Sequence, residues 1–352
     1  MTIERNEGIP GVATAAIPIP VLLDTDIGDD VDDVFALLLA ARQPLVHLLG
    51  VTTVYGDVAQ RTRIARKLLR LGGHHDVAVV TGHSQTLAGR DPGLVLASGE
   101  GFAAEDEPAG KGANAGAVDF LIDRVMTSQE PPVLVAVGPL TNVGAALRQE
   151  PRLAHRLRAL IVMGGRLGAD ADRGEHNVNC DPAATRLVLE SGARLRLGTY
   201  EITLQARLGL PDAERLRATG EAACAAAAAM LDLYLQQMAR PSTAMYDPLT
   251  LTLAYTERFL RMQPAGLHAT YTDRRVTMAA QEDTAPTAEI SVATDAAGFV
   301  EHLLSTITGA TSPPAPLLGG EGSTRGQLSV VSPLHPGEGP GVRSVSSGYR
   351  LG

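Results

Sequence analysis

Residues 24–33 place six aspartates within ten positions, directly after the apolar run 17–23. Carboxylates this close repel one another unless some take up protons or a cation neutralises them. The run has no Cys or His, so a divalent ion bound by oxygen, such as Ca²⁺ or Mg²⁺, is favoured over zinc. The alternative is a solvated acidic turn that caps the next helix. The order of strand, acidic loop and helix favours a site, because ligands bind at the carboxyl ends of strands in open α/β sheets.

The rest of the chain alternates apolar runs of strand length with segments of helical periodicity, a pattern typical of a mostly parallel sheet with flanking helices. The predicted strands are residues 21–24, 46–53, 77–81, 133–137, 160–163 and 195–198. The helices predicted between them are residues 32–41, 59–71, 117–128, 142–148 and 182–190. Asp181 is the predicted N-cap of the last of these, with Pro182 at its first position. Farther on we predict helices near 221–238, 248–255 and 295–306 and strands at 267–278 and 289–293.

Composition bounds the domain organisation and the partners. We predict a flexible tail at 1–16, one domain at 17–309, and a disordered tail at 310–352, where Gly, Pro and Ser dominate without periodicity. A net charge of −9 argues against a nucleic-acid partner. No apolar run is long enough to span a bilayer, so we expect no membrane partner. The N-terminus lacks the basic and apolar regions of a signal peptide, and the expected location is cytoplasmic.

Polar motifs recur where later predicted strands end. They are residues 52–57 (TTVYGD), 138–142 (GPLTN), 163–166 (MGGR) and 175–182 (EHNVNCDP), with 245–248 (MYDP) farther along the chain. Each motif alone is an ordinary turn or helix cap. Together they would place carboxylates, amides and hydroxyls at the edge of the sheet that carries the acidic run, so we predict one shared site.

In this order, the acidic run and these motifs resemble the nucleoside hydrolases of the inosine-uridine type over residues 19–308. The resemblance implies an α/β nucleoside hydrolase fold with a Rossmann-like, mostly parallel sheet. It implies a calcium-dependent N-ribosyl hydrolase that releases ribose and a free base from ribonucleosides, as in purine and pyrimidine salvage. It also implies a homodimer or homotetramer with a small-molecule ribonucleoside as substrate.

The resemblance assigns roles to single residues. It implies that Asp26 is both a Ca²⁺ ligand and the general base, and that Asp24 is a supporting carboxylate behind the site. The remaining implied Ca²⁺ ligands are Asp33, Asp247 and the backbone carbonyl of Thr141. The implied substrate contacts are Asp32, Asp57, Met163, Glu175 and Asn177.

Two departures from the family pattern matter. The spacing from Gly28 to Asp32 is longer than in the best-known members, so Asp30 is a further possible metal ligand. Tyr246 stands where many members carry a histidine that protonates the departing base. We therefore expect either His176 or Tyr246 to assist the leaving group, and a histidine packed at the pocket wall is the alternative for His176. The chain has no Trp, which disfavours a strict purine preference.

Two other functions compete with this one. A non-catalytic calcium- and ribose-binding homologue would explain the altered loop and Tyr246. A phosphatase with an aspartate nucleophile would also begin with Asp-x-Asp after its first strand, but it needs a lysine, and only Lys67 and Lys111 are present. An EF-hand is excluded because the twelfth position counted from Asp24 is Phe35.

Overall fold

The computed structural model describes residues 17–90, 99, 101–102, 116–281 and 284–310. The tails predicted at 1–16 and 310–352 lie outside these residues, apart from Ala310.

Strands in the described residues build one large sheet and one small, two-stranded antiparallel sheet. They are β1 (Ile19–Thr25), β2 (Val46–Thr53), β3 (Val79–Thr81), β4 (Val133–Ala136), β5 (Ala159–Met163), β6 (Leu195–Gly198), β7 (Arg207–Gly209), β8 (Ser242–Ala244), β9 (Leu260–Tyr271), β10 (Val276–Gln281) and β11 (Ala288–Thr294). The order in the large sheet is β10-β9-β11-β6-β5-β4-β1-β2-β3. Every pair from β11 to β3 is parallel, whereas β9 runs antiparallel to both of its neighbours. This is the expected α/β fold with a Rossmann-like sheet.

Helices connect most of the parallel strands. They are α1 (Asp32–Arg42), α2 (Val58–Leu71), α3 (Ala117–Thr127), α4 (Thr141–Gln149), α5 (Leu153–Arg156), α6 (His176–Cys180), α7 (Pro182–Leu189), α8 (Tyr200–Thr203), α9 (Leu210–Ala218), α10 (Ala222–Gln237), α11 (Tyr246–Leu251) and α12 (Ala296–Thr308). Two turns of 3₁₀ helix lie at Ala171–Arg173 and Thr252–Ala254. In the described part of the chain, no helix combines the length and the apolar character needed to cross a membrane.

The core lies on both sides of the sheet. Leu22 belongs to one buried apolar cluster and Val21 and Leu23 to the other, because alternate side chains of a strand point to opposite faces. Residues Asp32 to Ala40 of α1 are all buried, as expected for a helix that is apolar on every side.

Strand β1 lies at the switch point of the sheet. It pairs with β2 on one side and β4 on the other, and the strand order runs outward in both directions from this pair. The loops after β1 and β4 therefore diverge and leave a crevice at the carboxyl ends of the strands, where open α/β sheets bind ligands. The acidic run follows β1 directly.

The sequence pattern was wrong in two places. Residues 267–278 were expected to form one strand, but they form parts of β9 and β10, which meet at a turn where Thr272 N–H donates to Arg275 O. The helix expected at 248–255 begins earlier, at Tyr246, and its last turn is 3₁₀. Both errors lie outside the parallel part of the sheet, where short loops make element boundaries hard to see in sequence.

Candidate active site

The turn after β1 folds back on itself through its own polar groups. The Thr25 hydroxyl donates to Asp33 Oδ1, and Ile27 N–H donates to Thr25 Oγ1 at 3.2 Å. Gly28 has a φ of +116°, which a residue with a side chain rarely adopts. The turn therefore closes around the start of α1 and turns its carboxylates toward one point.

Carboxylates from distant parts of the chain meet here. Asp32 Oδ2 accepts a hydrogen bond from Asp247 N–H at 3.1 Å, across 215 residues of sequence. Asp26, Asp32, Asp33 and Asp247 are 6%, 2%, 2% and 4% exposed and line the same cavity. The predicted ligand carboxylates are thus brought together by β1, α1 and α11.

Burial dominates the electrostatics of this cluster. Burial raises the pKa of Asp26 to about 7, and the Arg61 guanidinium opposes part of that rise. Burial also raises the pKa values of Asp32, Asp33 and Asp247 well above the ordinary value, and neighbouring carboxylates raise them further. Without a cation, the cluster is therefore stable only when part of it is protonated.

The donor set fits a hard divalent ion. Asp30, Asp32 and Asp33 each offer a carboxylate oxygen, and these atoms lie within 4.8 Å of one another. Asp26 and Asp247 lie on the wall of the same cavity. All these donors are oxygens, as Ca²⁺ and Mg²⁺ require. The structure thus places Asp30 in the group of possible ligands.

Arg61 is a component of the site that sequence reasoning missed. It is fully buried, and its Nη2 pairs with Asp29 Oδ2 at 2.9 Å. Its Nη1 donates to the carbonyl of Asp26 and to that of Ile27 at 3.2 Å, and its Nε donates to Tyr55 O at 2.6 Å. The signal was spacing, since position 61 shares a helix face with the apolar positions 64, 65 and 68.

Asp24 lies behind the cluster and joins three elements. Its Oδ1 accepts hydrogen bonds from the Thr52 hydroxyl of β2 and from Asn142 Nδ2 of α4, the latter at 2.8 Å. Asn142 Nδ2 also donates to Thr53 O at 3.1 Å. Asp24 is absent from the cavity wall formed by the described residues, which agrees with a supporting role.

The loop after β5 delivers the predicted ribose contacts. Glu175 is the N-cap of α6 and accepts from Asn177 N–H at 2.9 Å and from Val178 N–H at 3.3 Å. Asn177 Nδ2 donates to Val137 O at 2.8 Å and to Met163 O at 3.2 Å. Glu175, Asn177 and Met163 line the cavity, held by the ends of β4 and β5.

One predicted site residue lies away from the cavity. Asp57 is a correction, because its exposed carboxylate caps α2 by accepting Gln60 N–H at 3.0 Å and does not line the cavity. The buried Thr141 hydroxyl donates to Asp181 Oδ2 at 2.8 Å, and the role predicted for the Thr141 backbone carbonyl stays a prediction. Of the lysines that a phosphatase needs, Lys67 donates to Phe102 O away from the cavity, and Lys111 lies outside the described residues.

Both candidate leaving-group residues line the cavity. His176 Nε2 lies 3.4 Å from Cys180 Sγ, and the hydrogen bond that the protonated ring donates to this sulfur is the main cause that raises the pKa of the exposed His176. Burial raises the pKa of Tyr246, whose ring stacks on Tyr200 at a centroid distance of 5.5 Å. The guanidinium of Arg166 lies 3.8 Å from the Tyr200 ring centroid.

These side chains enclose a cavity of about 480 Å³. The acidic cluster, Glu175 and Asn177 line it together with Arg166, Tyr200, Tyr234, Met238 and Tyr246. The carboxylates and the amide suit a polyhydroxylated group, because they accept hydrogen bonds from hydroxyls. The tyrosine rings suit a planar group.

Comparison with known proteins finds nucleoside hydrolases by both the family model and the curated relatives. A sequence model of the family described as inosine-uridine preferring nucleoside hydrolase matches residues 21–301. The pyrimidine-specific ribonucleoside hydrolase RihA of Citrobacter koseri is 30% identical over 248 residues, which are 66% of this chain and 78% of that protein. The RihA of Shigella boydii is 28% identical over 307 residues, 81% of this chain and 97% of that protein.

Solved structures of nucleoside hydrolases have the same fold as this chain. The purine-preferring ribonucleoside hydrolase of Gardnerella vaginalis is 25% identical, with a TM-score of 0.74, over 82% of this chain and 98% of its own. A plant nucleoside hydrolase, PpNRh1, has the same fold at 23% identity and a TM-score of 0.72, over 83% and 99% of the two chains.

Proposed function

The chain belongs to the family of inosine-uridine preferring nucleoside hydrolases and is therefore an N-ribosyl hydrolase, and we propose that it hydrolyses ribonucleosides to ribose and free base with Ca²⁺ as cofactor. The observation that carries the proposal is the meeting of Asp26, Asp32 and Asp247 in one cavity with Glu175 and Asn177. The clustered carboxylates support metal binding in this cavity, and the tyrosines that line it support binding of a planar base.

In this proposal Asp26, Asp33, Asp247 and the Thr141 carbonyl hold the ion, with Asp30 as an additional ligand. Bound Ca²⁺ would balance the buried carboxylates, orient the ribose diol and make a nearby water more acidic. The all-oxygen donor set is what supports this choice of ion.

The chain's own residues perform the proton transfer and stabilise the charge. Asp26 accepts a proton from the water whose oxygen forms the new bond to C1′. The C1′–N bond breaks, and its electron pair leaves with the base. Positive charge grows on the sugar as in other glycoside hydrolyses, so the surrounding carboxylates stabilise the transition state more than the ground state.

Ribose recognition follows from Asp32, Glu175 and Asn177, which line the cavity and offer carboxylate and amide groups. A 2′-deoxyriboside leaves some of these buried groups without a partner. Discrimination of this kind is strong, since sites built to bind a hydroxyl reject analogues that lack it. We therefore expect ribosides to be hydrolysed far faster than 2′-deoxyribosides.

A reducing-sugar assay over a panel of ribosides and 2′-deoxyribosides tests the proposal. We expect release of ribose from ribosides, loss of activity with a chelator and recovery with Ca²⁺. Asp26→Asn should lower kcat by at least about 100-fold. The matched control is Asp123→Asn, an exposed position on α3, which should be as active as wild type. Ribose binding with no turnover of any substrate would instead favour the calcium- and ribose-binding homologue.

For the leaving group we propose His176, because it lines the cavity and its hydrogen bond to Cys180 raises its pKa and favours the protonated ring, whereas burial makes Tyr246 a weaker acid. His176→Ala should slow inosine hydrolysis by about 100-fold and spare 4-nitrophenyl riboside, whose leaving group needs no proton. Equal losses on both substrates would contradict the acid role.

Base preference, oligomeric state and cellular location stay predictions. The relatives include proteins named pyrimidine-specific and one named purine-preferring, so names alone do not decide between the two classes. The aromatic residues that line the cavity, apart from His176, are tyrosines, and we propose that a strict purine preference is absent. The substrate panel above measures this directly.

A further inference from the structure

Arg166 holds a position that the proposed roles do not use. It follows Gly164 and Gly165 at the end of β5, where Gly165 has a φ of +88°. Tyr200 N–H donates to Gly165 O at 3.0 Å, which ties this loop to the start of α8. The backbone thereby brings the Arg166 guanidinium over the Tyr200 ring, 3.8 Å from its centroid.

Among the described residues, the Arg166 guanidinium contacts a ring but has no hydrogen bond or ion pair, and its buried Nε has no acceptor. The buried Arg61, in contrast, has a carboxylate and three carbonyls as acceptors. Buried N–H groups normally find acceptors, so this one is suited to an acceptor that arrives with the substrate.

Arg166 also lines the same cavity as the acidic cluster. Tyr246, which stacks on Tyr200, precedes Asp247 of the acidic cluster. The stack of Tyr246 on Tyr200 therefore starts next to the acidic cluster, and the Arg166 guanidinium lies against the Tyr200 ring. Among the described residues that line the cavity, Arg166 is the one arginine or lysine.

The chemistry of C–N cleavage gives this cation a role. When the C1′–N bond breaks, the electron pair leaves with the base, and negative charge spreads over its ring nitrogens and carbonyl oxygens. An arginine presents two parallel N–H donors and keeps its charge across the working pH range. A fixed donor aimed at developing charge lowers the barrier without being protonated or deprotonated.

We propose that Arg166, positioned by its contact with the Tyr200 ring, binds the leaving base at its carbonyl or ring-nitrogen acceptors and stabilises the negative charge that the base carries away. The inference rests on the proposed function, since it concerns the same cavity. It assigns the leaving-group class as planar rings that bear hydrogen-bond acceptors, uracil and hypoxanthine among them.

The test is a series of aryl β-ribosides whose phenol leaving groups differ in pKa, with uridine added. In Arg166→Met, which keeps the length of the side chain but removes its charge, kcat/KM should fall by about 100-fold for the poorest leaving group and little for the best. The plot of log kcat/KM against leaving-group pKa should become steeper. Arg166→Lys should lie between Arg166→Met and wild type, because it restores the charge without the planar fork.

Arg173→Met is the matched control, since it makes the same change at an exposed position on the same loop, outside the cavity wall. It should keep the wild-type slope. Binding of uracil, measured by calorimetry, should weaken in Arg166→Met while binding of ribose is unchanged. Arg166→Gln, which retains amide donors, serves as the second variant should the methionine variant fail to fold.

Failure of the role proposed for Arg166 can be distinguished from failure of the proposed hydrolase function. A uniform loss across the series with an unchanged slope, or no loss at all, would overturn the role of Arg166 and leave the hydrolase function intact. If wild-type protein hydrolyses none of the ribosides, the proposed function is wrong, and the leaving-group role is wrong with it.

Discussion

At the scale of single residues, the acidic turn after β1 depends on the guanidinium of Arg61, a residue that lies outside the turn. Arg61, from α2, donates to the carbonyls of Asp26 and Ile27 and pairs with Asp29. It also holds Tyr55 O at 2.6 Å, in a turn where Tyr55 has an unfavourable φ of +71°. The guanidinium therefore fixes two turns and offsets part of the carboxylate repulsion before any metal binds.

Arg61→Met should lower the free energy of unfolding by about 3 kcal/mol in EDTA, because three carbonyls and Asp29 lose a buried partner. Saturating Ca²⁺ should make the deficit smaller, since the ion then neutralises the same carboxylates. Urea unfolding followed by circular dichroism measures both. Arg70→Met, exposed on the same helix, should change stability by less than about 0.5 kcal/mol. Wild-type stability of Arg61→Met in EDTA would contradict this role.

Gly138 lets β4 pass close to the proposed general base. A Cβ at this position would lie 2.8 Å from Asp26 Oδ1 and 2.9 Å from Asp26 N. We expect Gly138→Ala to displace Asp26 and lower kcat/KM by about 100-fold while the protein stays folded. Gly116→Ala, where a Cβ meets open space, is the control for steady-state kinetics. Full activity of Gly138→Ala would show that Asp26 tolerates the shift.

At the scale of elements, helix N-termini hold the site loops in place. Asp181 caps α7 by accepting Ala184 N–H at 3.1 Å, as its position before Pro182 predicted. It also accepts from Leu87 N–H at 2.7 Å and from the Thr141 hydroxyl at 2.8 Å. One carboxylate thus joins α7 to α4 and to the segment after β3.

Asp181→Ala should cost about 2–3 kcal/mol in the free energy of unfolding, from the lost cap and two further buried hydrogen bonds. Asp295→Ala makes the same change at the N-cap of α12, where Gly298 N–H is the bonded donor, and should cost about 1 kcal/mol. Chemical denaturation of both variants gives the comparison. Equal losses would mean that the contacts to α4 and the β3 segment add nothing.

At the scale of the whole molecule, the buried carboxylates tie stability to pH and to metal. Burial raises the pKa values of Asp24 and Asp26 from 3.8 to about 7. Between these values the metal-free folded state binds more protons than the unfolded state, so its stability falls as pH rises. Metal binding needs the deprotonated carboxylates and so acts in the opposite direction.

We therefore expect the thermal midpoint in EDTA to be higher at pH 5 than at pH 8. The increase on adding Ca²⁺ should be larger at pH 8 than at pH 5. Differential scanning calorimetry across this range measures both, and Asp26→Asn, which cannot ionise, should show a weaker pH dependence in EDTA. A midpoint in EDTA that rises steadily from pH 5 to pH 8 would refute the linkage.

Much of the fold and part of the site followed from local patterns. The alternation of strand and helix signals predicted the parallel sheet, and the family resemblance predicted that Asp26, Asp33 and Asp247 share a site, which agrees with the cavity they line together. Asp57 shows the limit, because the resemblance placed it near the sugar, whereas its carboxylate caps its own helix. A motif gives a residue's place in the chain but not the direction of its side chain.

What the sequence by itself determined is the chemistry available at the end of β1: too many carboxylates to stay ionised without a cation, directly after a buried strand. Charge density and hydrophobic periodicity are local properties, so a short stretch of neighbouring residues is enough to recognise them. Only the tertiary structure decided which distant groups join them, such as Asp247, 215 residues beyond Asp32, the buried Arg61, and Arg166 over Tyr200. Those contacts depend on strand order and loop packing. Both bring together residues that are far apart in the sequence and follow no regular spacing.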